Sequence, residues 1–109
     1  MIKVIMSFKR KQGCSLEEFS RHWSDVHGPL VVKLLPGLKK YVQNHPVTLP
    51  GGRSQFDGVA ELWFDDEESW QRAGDFYSGD AGKAIRDDEA KFIDGSSRVY
   101  FTAQEKVIK

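Results

Sequence analysis

The chain has 109 residues, with 16 Lys or Arg against 16 Asp or Glu, so its formal net charge at pH 7 is zero. This length predicts one domain, residues 1–109, and the balanced charge offers no field of one sign to attract nucleic acid or an anionic membrane. Cys14 is the only cysteine, which excludes an internal disulfide and favours a cytoplasmic location.

The N-terminal part of the sequence predicts a strand followed by a long helical segment. Residues 2–8 place apolar side chains on alternate positions, and this apolar run is too short for a signal sequence or a membrane span. Ser15 followed by Glu18 matches a capping box, so we expect a helix to begin there. An apolar stripe continues the helix, which we expect Gly28-Pro29 to interrupt or kink near its end.

The rest of the chain predicts three more strands and further helices. Residues 38–47 alternate in character, and residues 57–65 carry apolar side chains on both faces, so both segments are predicted as strands. A short amphipathic helix and a second helical piece over residues 80–93 follow. Residues 94–97, DGSS, are expected to end that helix and precede a last strand over residues 98–107.

The order strand, helix, strand, strand, helix, strand is typical of the α+β ferredoxin-like fold, or split βαβ. This fold has a four-stranded antiparallel sheet with its helices on one face. The opposite face is expected to carry Ile5, Tyr41, Trp63 or Leu62, and Phe101 or Tyr100. Such an apolar face needs cover, so we expect a second copy to pack on it by two-fold symmetry and leave a cavity in each half.

The candidate proton-transfer groups concentrate in residues 22–45, which contain all three histidines. His27 lies at the margin of the apolar stripe, where it is either a general acid or base in a cavity or a support for the Gly-Pro break. His45 is either a second proton carrier at the cavity mouth or, as we favour, an anchor for the rim. His22 is five residues from His27, which in an α-helix places the two about 140° apart around the axis. His22 is therefore expected to face solvent.

Tyr41 and Glu61 are the other candidates for chemistry. Tyr41 is predicted to donate a hydrogen bond to an enolate or phenolate oxygen, with plain packing as the alternative. Glu61 lies in the middle of an apolar strand, where a carboxylate is costly to bury unless it is paired. It is therefore a base or, as we favour, the partner of Arg98, Lys3 or Lys40 in an ion pair.

Five aromatic residues are either plain core or the apolar wall of a cavity for a ring-shaped ligand. They are Trp23, Trp63, Phe8, Tyr100 and Phe101. No close pair of His or Cys residues supports a metal site, so no metal is expected.

Three sequence blocks resemble the EthD family of the dimeric α/β-barrel group. They are the Trp-x-x-x-His-Gly-Pro-Leu block at 23–30, the Pro-Gly-Leu-x-x-Tyr block at 36–41 and the acidic block at 87–94 that contains Phe92. The resemblance implies a small homodimer with a ligand cavity that takes small cyclic or polyketide-like molecules without a cofactor. Similar proteins include isomerases, cyclases, dehydratases and anthrone oxygenases.

The resulting hypothesis is a cofactor-independent enzyme that isomerises, cyclises or eliminates from a small cyclic carbonyl or phenolic compound. His27 is the predicted proton shuttle and Tyr41 the oxyanion partner, with His45 or Glu61 as second groups. Residues 49–55, LPGGRSQ, are the predicted lid. The alternatives are a cofactor-free oxygenase, in which a substrate carbanion reacts directly with dioxygen, and a ligand-binding accessory protein.

Overall fold

Four strands and four α-helices make up the computed structural model, which describes residues 1–52 and 54–109. The strands are β1 (Ile2–Arg10), β2 (Leu38–Asn44), β3 (Gly58–Phe64) and β4 (Ile93–Ala103). The helices are α1 (Leu16–His22), α2 (Gly28–Leu34), α3 (Glu67–Ser78) and α4 (Lys83–Phe92). A π-helical turn (Trp23–His27) joins α1 to α2, and a 3-10 turn (Asp80–Gly82) joins α3 to α4.

The sheet confirms the predicted ferredoxin-like fold. Its strands are antiparallel in the order β2-β3-β1-β4. Alternate residues of β1 and β3 pack against the helices because successive side chains of a strand point to opposite faces. The buried core of sheet and helix residues comprises Phe8, Ala60, Leu62, Phe64, Phe19, Trp23, Val31, Ala73, Ile85, Phe92 and Ile93.

The first helical segment begins as predicted and then departs from α geometry. The Ser15 side chain accepts a hydrogen bond from the Glu18 backbone, and the Glu18 carboxylate accepts one from the Ser15 backbone, so the capping box is present. The backbone N–H of Gly28 bonds to Trp23 O, five residues earlier. Pro29 has no N–H to continue the α pattern, and the chain widens into a π turn rather than ending its helix there.

The last strand begins at Ile93, so the prediction that it starts at residue 98 was wrong. Residues 94–97 follow the end of α4 as expected but belong to the strand, and the Asp94 carboxylate accepts bonds from the backbone and hydroxyl of Ser96. They do not end the pairing with β1. The register shifts between Ser7 and Lys9, and Asp94 still pairs with Lys9, so the extra residues form a bulge inside the ladder.

The division of residues between the two sheet faces also differs from the prediction at Tyr41. The register of β2 against β3 shifts between Leu38 and Lys40, so Leu38 and Tyr41 both pack against the core on the helix side. The open face carries Ile5, Trp63 and Phe101. Trp63 is largely covered there, because the Nζ atoms of Lys3 and Lys40 each lie 4.7 Å from its ring centroid.

None of the helices formed by the described residues has the length and apolar character that crossing a membrane requires.

Replacing Phe19 by Ala is expected to lower the free energy of unfolding by about 3–5 kcal/mol, because a large buried side chain would leave a cavity. Phe19 is 0% exposed, and its ring lies 5.8 Å from that of Phe8 and 5.4 Å from that of Phe92. Urea unfolding followed by tryptophan fluorescence measures the change. Val32→Ala, at a position that is 63% exposed, is the control and should change stability by less than about 0.5 kcal/mol. Equal effects of the two changes would contradict this core.

Candidate functional site

A cavity of about 480 Å³ lies between the sheet and the helix layer of a single chain. Its walls are mainly apolar, with Val4, Met6 and Leu62 from the sheet and Val31 and Ile85 from the helices. The sequence predicted a cavity in each half of a dimer. In the single chain the cavity lies on the helix side of the sheet, where the even-numbered residues of β1 face the helices.

The opening of the cavity lies where its lining residues are exposed. These residues are Gln71, Gly74, Asp75 and Ser78 of α3 and Tyr100 of β4. The predicted lid, residues 49–55, includes Arg53, which lies outside the described residues. The other residues of that loop do not line the cavity.

His27 is buried at the wall of this cavity with only 4% of its surface exposed. Its Nδ1 lies 2.9 Å from Asp88 Oδ2, and its Nε2 lies 3.7 Å from Glu89 Oε2. An ionised carboxylate can only accept, so Nδ1 carries the hydrogen in this bond. Nε2 is then the ring nitrogen of neutral His27 that is able to accept a proton.

Asp88 is bonded by two histidines. His22 Nε2 lies 3.0 Å from Asp88 Oδ1 and 3.1 Å from Oδ2, in addition to the bond from His27. Burial by itself raises the pKa of Asp88, but the hydrogen bonds from His27 and His22 outweigh it and hold that pKa below its ordinary value.

The side chain of His22 is 27% exposed, but its ring also bonds to Asp88, which the sequence did not predict, and the π turn is the reason. In an α-helix, residues five apart point in different directions. In a π turn, residues i and i+5 are hydrogen-bonded neighbours. The Trp23–His27 turn therefore brings His22 and His27 to the same side, where both reach the carboxylate of Asp88.

Glu89, Tyr77 and Arg98 form a second polar group on the cavity wall. The Tyr77 hydroxyl donates to Glu89 Oε1 at 2.5 Å, and Arg98 Nη1 donates to the Tyr77 hydroxyl at 2.8 Å. Arg98 Nη1 also lies 3.4 Å from Glu89 Oε1. Burial and then the neighbouring Glu89 carboxylate raise the pKa of Tyr77 above its ordinary value.

Sequence reasoning missed Asp88 and Glu89, although a signal for them exists. Both lie three or four residues from Ile85 and from Phe92, so helical spacing places the two acids on the buried face of α4. A carboxylate on such a face needs a partner. The same argument drew attention to Glu61 and applies with equal force here.

Tyr41 lines the cavity as well, and a hydrogen-bonded chain holds its hydroxyl. Gln43 Nε2 donates to the Tyr41 oxygen at 3.0 Å and to Trp23 O at 2.9 Å. Because the Tyr41 oxygen accepts from Gln43, its own hydrogen is free to bond a ligand oxygen. Burial raises the pKa of Tyr41, which keeps the hydroxyl protonated.

Gly28 makes this contact between β2 and the helix layer possible. A Cβ atom at position 28 would lie 2.9 Å from Gln43 Nε2 and 3.3 Å from Trp23 O. Glycine is therefore the residue that lets the Gln43 amide reach the π turn.

His45 supports Gln43 and does not line the cavity. Its Nε2 lies 2.9 Å from Gln43 Oε1, and its ring centroid lies 4.5 Å from that of Trp23. Burial lowers the pKa of His45, which favours its neutral form. This position agrees with an anchoring role rather than with a proton carrier at the cavity mouth.

Glu61, Trp63 and Phe101 lie on the open face of the sheet and are not brought together with His27. Glu61 Oε1 lies 2.6 Å from Lys3 Nζ, and Asn44 donates to Glu61 Oε2 at 2.9 Å. These bonds from Lys3 and Asn44 lower the pKa of Glu61. The structure thus favours the ion pair with Lys3 and gives Glu61 no access to the cavity. Of the five aromatic candidates, Phe8, Trp23 and Tyr100 line the cavity.

No group of three or more His, Cys, Asp or Glu side chains within residues 1–52 and 54–109 is arranged to hold a metal ion. The acids and histidines of the cavity wall instead bond to one another.

Fold and site together define a ferredoxin-like α+β protein with a cavity between its sheet and its helices. Residues 11–96 match the EthD domain, and the chain belongs to the EthD family.

The similar proteins agree with this assignment. An uncharacterised 11.0 kDa protein from the thcB–thcC intergenic region of Rhodococcus erythropolis is 30% identical over 90 residues, which are 83% of this chain and 84% of that protein. The crystal structure of an ethyl tert-butyl ether D (EthD) family protein from Bacillus halodurans C-125 has 30% identity and a TM-score of 0.74, covering 97% of this chain and 99% of that one. A dimeric ferredoxin-like protein of unknown function from Bacteroides fragilis NCTC 9343 has 16% identity and a TM-score of 0.65, with 95% of each chain covered, and shares the fold.

Asp88→Asn is expected to lower the free energy of unfolding at pH 7 by about 1–3 kcal/mol, because one buried N–H loses its charged acceptor. The pKa of Asp88 is lowered in the folded state, so its contribution is complete above the unfolded value of about 4. That contribution is lost as the pH falls through the folded pKa. The stability difference between the wild type and Asp88→Asn should therefore shrink in acid, as measured by urea unfolding from pH 7 to pH 2.

The matched control for this prediction is Asp87→Asn. Asp87 is exposed and pairs with Lys83 one helical turn away. Its replacement should change stability by less than about 1 kcal/mol at every pH. A difference between Asp88→Asn and the wild type that stays constant down to pH 2 would contradict the assigned pairing.

Proposed function

We propose that this protein is a cofactor-independent acid–base enzyme for a small cyclic carbonyl or phenolic compound. The observation that carries the proposal is the buried Asp88–His27 pair at the wall of an apolar cavity. The cavity volume of about 480 Å³ suits a ring-sized molecule, since ligand pockets span roughly 300–1,000 Å³. A positioned proton acceptor in a pocket that excludes water favours the transfer of a proton from carbon.

In the proposed reaction His27 Nε2 accepts a proton from a carbon next to a carbonyl or from the hydroxyl of a phenol. Asp88 fixes the orientation of the ring and stabilises the imidazolium that forms. The free hydrogen of Tyr41 bonds to the enolate or phenolate oxygen as charge develops there. His27 then returns the proton to a different carbon in an isomerisation. In a cyclisation the enolate carbon attacks a carbonyl of the same molecule and the proton goes to the new alkoxide, and in an elimination the bond to a β-substituent breaks and the proton goes to that leaving group.

Glu89 is the proposed second proton carrier, in place of His45 or Glu61. Its Oε2 lies 3.7 Å from His27 Nε2, so the two groups can reach neighbouring atoms of one ligand. Tyr77 and Arg98 hold the other oxygen of Glu89 and fix the carboxylate against the cavity wall.

The test of this function begins with a mixture of small aromatic and lactone compounds, from which native mass spectrometry identifies the compound that is retained. His27→Gln is expected to reduce turnover of that compound by about 10²–10⁴-fold, because the general base is removed. The variant should still bind the compound, since the apolar walls are unchanged. Turnover is followed by chromatography of the product together with oxygen consumption.

Asp87→Asn, on the exposed side of α4, is the control and should turn over the compound as the wild type does. Equal turnover by His27→Gln and the wild type would overturn the role of His27. Oxygen consumed with each turnover would indicate a cofactor-free oxygenase instead. A compound that is bound and recovered unchanged would indicate a ligand-binding accessory protein.

We also propose a homodimer in which a second copy covers the open face and completes a barrel. Phe101 and Val99 are 60% and 61% exposed on this face, and a structural neighbour with the same fold is dimeric. Apolar side chains that are exposed side by side favour such an interface.

Phe101→Lys is expected to convert the dimer into a monomer, because an unpaired charge would replace an apolar side chain in the interface. Light scattering coupled to size-exclusion chromatography measures the mass. Val32→Lys places the same charge on an exposed position of α2 and should leave the mass of the dimer unchanged. A wild-type monomer would contradict the proposed assembly.

A further inference from the structure

We propose that His22 is a positioning residue for the His27–Asp88 pair. It holds the Asp88 carboxylate from the solvent side and competes with His27 for the negative charge of that carboxylate. This inference rests on the proposed function only where it concerns turnover, because the competition itself is a property of the three side chains.

The geometry of the three side chains carries this inference. The side chains of His27 and Asp88 are 5% and 7% exposed, whereas that of His22 is 27% exposed. His22 therefore reaches solvent directly, and His27 reaches it only through the cavity. Each imidazole directs one ring nitrogen at Asp88. Both rings also pack against the Phe92 ring, with centroid distances of 4.7 Å for His22 and 5.1 Å for His27.

One carboxylate cannot neutralise two imidazolium ions. When His22 takes a proton from solvent, its positive charge offsets the negative charge of Asp88. That carboxylate then stabilises a proton on His27 less strongly. A proton on one imidazole therefore disfavours a proton on the other, because both lie against the same carboxylate. The pH of the solvent thus acts on the buried pair through His22.

Further charged groups lie near this pair on the elements packed around it. On α4, Lys91 Nζ lies 3.8 Å from Asp88 Oδ1, and Glu89 faces His27. Behind Glu89 are Tyr77 of α3 and Arg98 of β4, which are bonded to that carboxylate rather than to Asp88. Lys91 is thus a further cation near Asp88, but its side chain is 69% exposed and its charge is screened by water.

His22→Gln keeps an N–H donor for Asp88 and removes the titrating charge. We expect the titration midpoint of the His27 ring to move to higher pH in this variant, because no second imidazolium competes for Asp88. Heteronuclear NMR of the imidazole nitrogens measures the midpoint and the tautomer without any substrate. The hydrogen on Nδ1 of His27 should remain in place.

Lys91→Gln is the matched control, since it removes a cation close to the same oxygen, and it should move the midpoint by a smaller amount. An equal shift in the two variants, or no shift in His22→Gln, would overturn the role of His22. The wild type provides an independent check, because its two rings should titrate in two coupled steps, and independent single-step curves would also overturn it.

The identified substrate then separates this inference from the proposed function. The first outcome is that, in His22→Gln, the acid limb of the pH profile of kcat moves to higher pH together with the NMR midpoint while KM stays constant. Both the role of His22 and the proposed function then hold. A shifted midpoint with turnover that is indifferent to His27 would refute the function and leave the coupling. An unshifted midpoint with turnover that depends on His27 would refute the coupling and leave the proposed function.

Discussion

The buried carboxylate of Asp88 is the constraint on which the rest of the site depends. A charge removed from water is costly unless it is paired, and here two imidazole N–H groups supply the pairing. The partners lie 66 and 61 positions away in the sequence, so the carboxylate fastens α4 to the end of α1 and to the π turn. It thereby fixes one wall of the cavity and the orientation of His27 with a single group.

The π turn is the local feature that allows this pairing. Pro29 lacks the N–H that an α-helix needs, and the turn before it takes one additional residue to reach a hydrogen-bond acceptor. The same turn carries Trp23, whose carbonyl accepts from both Gly28 and Gln43. One short segment thus aligns His22 with His27 on one side and receives the support of Tyr41 on the other. Each residue of the sequence His27-Gly28-Pro29 thus has a structural role. His27 bonds to Asp88, Gly28 leaves room for the Gln43 amide, and Pro29 lacks the N–H of a regular α-helix.

Local patterns predicted the fold well because they act between near neighbours. The capping box at Ser15, the alternation in β1 and the order of the elements all depend on residues a few positions apart, and they predicted the ferredoxin-like fold. His27 was predicted for the same reason. Its partners were not, because Asp88 is distant in sequence and because the direction of His22 was derived from α-helical spacing. The early start of β4 was missed because the polar residues 94–97 are typical of a turn, whereas here they form an irregular part of the strand where its register against β1 shifts.

The two faces of the sheet are stabilised by different kinds of interaction. Neighbouring residues of a strand point in opposite directions, so Tyr100 lines the cavity while Phe101 lies on the open face, and Leu62 and Trp63 divide in the same way. The open face pairs Lys3 with Glu61 and covers Trp63 with lysine side chains, whereas the cavity face keeps its charges at one end of an apolar space. A single-residue slip in the register of β3 would exchange Glu61 with Leu62 and place a carboxylate against the apolar wall. The cost of burying that unpaired charge is a physical reason why the register holds.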